Sequence, residues 1–94
     1  MYSLARFVAD EQRKLAVWHK GHVDSNYDPA VYRRDYVWRL IKYSDHGNRN
    51  SAYGWEFGHI VARALGGSDD VINLRPEHWE TNASSGGLLG ALLR

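Results

Sequence analysis

With 94 residues and no cysteine, the chain has the size of one domain with a small core; disulfides and a thiolate-built zinc knot are excluded, and four Trp, six Tyr and two Phe must supply the packing. The net charge of +1 hides an asymmetry, because nine of the twelve Lys and Arg fall within residues 1 to 49; that half is either a basic face for a polyanion or an ordinary solvated surface. No run approaches the roughly 20 apolar residues of a membrane span, and Arg6, Asp10, Glu11, Arg13 and Lys14 interrupt any signal-peptide core, so a soluble, cytoplasmic protein without internal repeats is expected.

Residues 3 to 19 read as an amphipathic helix, with Leu4, Phe7, Val8, Leu15 and Trp18 at helical spacing, Ser3 as N-cap and Gly21 as stop. Its expected role is to pack over the apolar side of the C-terminal half. Residues 21 to 30 are rich in turn formers, and Asp28-Pro29 suits the start of a short helix. From Val31 to Tyr43 the pattern allows a helix through Arg34 or Tyr36 followed by an extended piece, or one continuous helix. Residues 44 to 54 are polar and turn-rich. His19 and His22 flank the end of the first helix, and His46 is a loop residue.

Residues 55 to 61 form a strand candidate, Gly66-Gly67-Ser68-Asp69-Asp70 a loop that permits positive φ, and residues 71 to 74 a second strand. Pro76 suits the first turn of a helix over 76 to 84, with Gly86 and Gly87 ending it. Residues 88 to 93 are an apolar tail that either docks or awaits a partner.

Three side chains carry the chemistry of this stretch: His59, Asn73 and Asn82, one on each of three successive elements. Phosphodiester hydrolysis needs a base for water, a cation on the phosphate and the leaving oxygen, and an aligned geometry. His59 is the natural base. Asn82 can offer a carboxamide oxygen to a hard cation, and Asn73 can hydrogen-bond across the loop to fix the hairpin that presents His59.

The lead-in from Tyr43 to Glu56, the His-Ile pair at 59, Gly-Gly-x-Asp at 66, Asn-Leu-x-Pro at 73 and His-Trp-x-x-Asn at 78 together resemble the HNH endonucleases of the ββα-metal fold, in the small forms common in phages and prophages. The resemblance runs from Asp28 to Gly86. It implies an α+β chain with a ββα-metal core over 28–87, preceded by the N-terminal packing helix and loop of 1–27 and followed by the tail 88–94, all in one domain. It also implies His59 as general base, Asn73 as the hairpin residue and Asn82 as a metal ligand, with DNA as partner and Mg²⁺ or Mn²⁺ as cofactor; Zn²⁺ and Ni²⁺ are alternatives.

The chain departs from the family at Gly58, where an aspartate metal ligand is usual, and at Ala62, Thr81 and Ser85, where Pro, Asn and Lys are usual. Glu56, two residues upstream on the same strand face, is a candidate replacement, or an acid in a structural pair. Asp69 and Asp70 are weaker candidates. His78, four residues before Asn82 on the expected helix, is a further ligand or a packing histidine. Arg63 and Arg75 would contact phosphates, with Arg33, Arg34 and Arg39 extending the footprint. Two functions follow: a divergent metal-dependent DNA endonuclease, or a catalytically inactive HNH-fold protein that binds DNA or inhibits a host defence complex.

Overall fold

A computed structural model describes residues 3–84; the glycine stop at 86–87, Ser85 and the tail 88–94 lie outside the described residues. The chain is α+β: one long helix and two small antiparallel sheets, in the order α1 (Leu4–Trp18), β1 (Tyr32–Arg34), β2 (Leu40–Lys42), β3 (Trp55–His59) and β4 (Leu74–His78). A second helix, α2, begins directly after β4 and occupies 79–84 of the described chain.

α1 starts where expected, with Ser3 Oγ accepting from Arg6 N at 3.1 Å. Its expected covering role is only partly realised. Val17 and Trp18 are buried, whereas Leu4, Phe7, Val8 and Leu15 are 78, 50, 44 and 42% exposed. The core gathers at the helix's C-terminal end, where Val17 and Trp18 meet Ile41, Trp55 and Leu74. The Trp18 ring lies 5.3 Å from Tyr43 and 5.2 Å from Trp55. The indole N–H groups are satisfied by backbone carbonyls, Trp18 on Pro29 and Trp55 on Tyr43, as buried indoles require.

Tyr43 opens a 3-10 turn that runs to Asp45, but residues 31 to 42 are not helical. They form the β1–β2 hairpin, Arg33 opposite Ile41, with Trp38 at φ 72° in its loop. Asp35 explains the choice: its Oδ1 accepts from Val37 N at 3.1 Å and Arg39 N at 2.9 Å, which closes a loop no helix can accommodate. The short helix expected at Pro29 is instead a turn under the Asp28 side chain, which accepts from Ala30 N at 2.9 Å.

β3 is two residues shorter than expected, residues 71–73 form a 3-10 turn, and the strand that follows runs through Pro76 to His78. The expected helix therefore starts three residues late. The register explains why a proline sits inside a strand. Ile60 N donates to Asn73 O and Trp79 N to Gly54 O, so alternation along the ladder makes Phe57–Pro76 a pair that needs no N–H from residue 76. The same alternation puts Trp55, Phe57 and Leu74 on the core face, and Glu56, Gly58, Arg75 and Glu77 on the opposite one.

Candidate functional site

The site is built on β3, the loop after it, β4 and the first turn of α2. His59 ends β3. Its Nε2 lies 2.8 Å from Asp69 Oδ1, and the same oxygen accepts from Arg63 Nε at 2.9 Å and Nη2 at 2.8 Å. These contacts, His59 first and Arg63 second, hold the Asp69 carboxyl below its usual range. An ionised Asp69 only accepts, so it fixes the proton on His59 Nε2 and leaves the Nδ1 lone pair as the basic one.

Asn73 clamps the loop. Its Oδ1 accepts from Val61 N at 2.8 Å, and its Nδ2 donates to Val61 O at 3.0 Å and Ser68 O at 2.8 Å. Gly66, at φ 87°, makes the turn inside that loop. Asn73 thus holds the loop against β3 and keeps Asp69 within reach of His59.

On the outer face of the hairpin, Glu56 stands directly opposite Glu77. Arg49 binds Glu56 bidentately, at 2.6 and 2.8 Å, and Asn82 Nδ2 donates to Glu56 Oε1 at 3.0 Å. Arg49 chiefly, with Asn82 assisting, lowers the Glu56 pKa. Gly58 is buried, opposite Arg75 in the ladder. A β-carbon built on it would stand 1.9 Å from Glu77 Oε2 and 2.1 Å from Glu77 Cδ. Glu77 is 1% exposed; its Oε2 accepts from Arg75 Nε at 2.9 Å and its Oε1 has no partner. Burial raises its pKa, opposed mainly by Arg75.

The expected ligands therefore divide. Glu56 and Asn82 come together, as a pair across the hairpin–helix junction. His78 does not join them. It is the last residue of β4 and buried, not a helical residue one turn before Asn82. Its Nε2 meets Ala52 O at 2.8 Å and its Nδ1 accepts from Glu80 N at 3.0 Å, so both ring nitrogens are in use. Among the described residues, no group of three or more His, Cys, Asp or Glu could hold a metal ion. What the outer face offers is two carboxylates and a carboxamide, a set of oxygen donors suited to a hard cation.

The five arginines do not form one free face. Arg33 donates to Pro29, His19 and Gly21 carbonyls, and Arg34 pairs with Asp24 at 3.0 Å with Tyr27 and Trp38 rings about it. Arg39 reaches Glu80 at 3.8 Å. Arg63 belongs to Asp69, and Arg75 bridges Glu77 and the Tyr36 ring, 3.6 Å from its centroid. Each acid of the site is thus matched by a guanidinium: Glu56 by Arg49, Asp69 by Arg63 and Glu77 by Arg75.

Three participants escaped the sequence reading. Arg49 stands out only as charge, and Asp35 falls in the stretch expected to be helical or extended; its Oδ2 accepts from His78 N at 3.0 Å and Thr81 Oγ1 at 2.7 Å and so joins the first hairpin to the start of α2. Glu77 falls within the helix expected over 76 to 84. Extending the strand through His78 would have exposed its true place, opposite Glu56.

Comparison with protein-family models, curated proteins and solved structures gives no match for this chain. Among the described residues, no helix is long and apolar enough to cross a membrane.

Proposed function

We propose that the chain is a divergent HNH-type endonuclease that hydrolyses DNA phosphodiester bonds with Mg²⁺ or Mn²⁺, its ββα-metal unit being β3, the clamped loop, β4 and α2. The observation that carries this reading is the His59–Asp69 pair at 2.8 Å, held at the head of the hairpin by Asn73. A base oriented by a carboxylate is the arrangement that water activation requires. Asp69 holds the Nε2 proton, and Nδ1 of His59 takes the proton of the attacking water. Arg63, in the clamped loop, and Arg75, in β4, are cations of the unit itself that can meet phosphate oxygens once each loosens from its carboxylate. A bound divalent ion would neutralise charge on the phosphate and the leaving oxygen.

Purified protein should convert supercoiled plasmid to the nicked form with Mn²⁺ or Mg²⁺, and His59→Ala should lower the rate by about 10²–10⁴-fold. Failure of wild type to nick at any divalent ion would remove the enzyme reading.

One observation favours a second reading, an inactive HNH-fold protein that binds DNA or a protein target such as a host defence complex. Every acid of the site is neutralised by an arginine of the same chain, which stabilises a cation-free state. Retained binding of DNA or of a protein target without nicking would select it.

A further inference from the structure

The volume where a side chain at position 58 would lie is filled by the carboxylate of residue 77. Its Oε2, Cδ and Cγ stand 1.9, 2.1 and 2.6 Å from the β-carbon position of Gly58. The glycine is therefore not a gap in the acidic face; β4 delivers a carboxylate to the spot that β3 leaves open. We propose that Glu77, with Glu56 and Asn82, forms an all-oxygen site for a hard divalent cation, Mg²⁺ or Mn²⁺, in which the β4 glutamate supplies the buried anionic ligand.

Three observations converge on this assignment. Glu77 is 1% exposed, yet one of its oxygens has no hydrogen-bond partner. An apolar side chain of similar volume would fill the space over Gly58 without the cost of an unpartnered buried oxygen. Second, Glu56 is its direct cross-strand partner, so two acids stand opposite one another on one sheet face, where like charges repel and only Arg49 and Arg75 now relieve them. Third, the side chains that now balance these acids, Arg49 from the loop before β3 and Arg75 from β4 opposite Gly58, bond both oxygens of Glu56 but only one of Glu77. Asn82 already contacts Glu56 Oε1 through Nδ2; turning its amide over presents Oδ1 in the same place.

Oxygen donors without thiolate or imidazole select Mg²⁺, Mn²⁺ or Ca²⁺. Because Arg49 competes for Glu56, the site binds weakly until that arginine is removed. The inference shares with the nuclease reading the premise of a cation on this face, but it concerns binding and is tested apart from cleavage.

The test is a Mn²⁺ titration of the full chain followed by electron paramagnetic resonance and calorimetry, without nucleic acid. Wild type should bind Mn²⁺. Glu77→Gln should weaken binding by at least 10–100-fold, the range known for mere supporting groups of metal ligands, while Glu80→Gln should leave it unchanged and Arg49→Ala should tighten it. Circular dichroism checks that each variant folds. Should Glu77→Gln not fold, the pair Glu77→Ala and Gly58→Asp/Glu77→Ala decides: the single change should lose Mn²⁺ and the double should regain it. Absence of binding in wild type overturns the proposal, as does unchanged affinity in folded Glu77→Gln, or failure of the double variant to regain binding. Binding without plasmid nicking leaves this site standing and removes only the enzyme reading.

Discussion

Replacing Gly58 by alanine adds one methyl group, and the structure assigns it a large consequence. The backbone at Gly58 is not among the positive-φ glycines, so alanine meets no conformational penalty there. Its methyl would nevertheless stand 1.9 Å from Glu77 Oε2 and 2.6 Å from Glu77 Cγ. These are separations that packed atoms do not adopt, so the glutamate must leave its buried place or the strands must part. Overpacking of this kind costs about 1–3 kcal/mol, and for a domain of this size each kcal/mol moves the melting temperature by roughly 4–8 °C. Gly58→Ala should therefore melt several degrees below wild type. In a Glu77→Ala background the same methyl should be accommodated, giving a coupling of at least about 1 kcal/mol in a double-mutant cycle followed by thermal and urea denaturation. Equal effects of Gly58→Ala in both backgrounds would refute the placement of Glu77 over Gly58, and with it the exchange of a carboxylate between strands.

Two further outcomes test the scaffold. Asp35→Asn turns an acceptor of the His78 and Thr81 bonds into a donor facing the His78 N–H, and urea denaturation should show a loss of about 1–3 kcal/mol; an unchanged midpoint would mean that Asp35 does not join the first hairpin to α2. The His46 ring packs at a tilt against Trp55, 4.5 Å between centroids, and Phe57, 4.9 Å, and desolvation, helped by Lys14, lowers its pKa from 6.5. The unfolded chain then binds the proton more readily, so this residue's contribution falls as pH drops through 6.5 towards the lower folded value. The stability difference between wild type and His46→Phe should vary with pH over that window, and parallel curves would show that the ring is solvated.

Local chemistry was legible in the sequence wherever one residue decides it. Ser3 caps α1, Gly66 turns the loop, and His59 and Asn73 fall on either side of that loop. Tertiary partners decided the rest. Pro76 is compatible with a helix start and with the unbonded position of a strand, and only the pairing with Phe57 distinguishes them. The β1–β2 hairpin has three-residue strands, too short to show alternation, and depends on the Asp35 side chain. The apolar stripe of α1 reads as a core face, but the described fold buries only its last turn. Glu77 is the most consequential case. As a residue between Pro76 and His78 it resembles a solvated acid, and its burial follows from a register that places it beside a residue without a side chain.

The central claim, that His59 on this hairpin activates water against a phosphodiester, is met most directly by plasmid cleavage. Wild type, His59→Ala and wild type with EDTA should be compared at equal folded concentration with Mn²⁺ and with Mg²⁺. The account predicts nicking by wild type alone in the presence of metal, and its loss in both controls. Undiminished nicking by His59→Ala, or none by wild type with either ion, would contradict it.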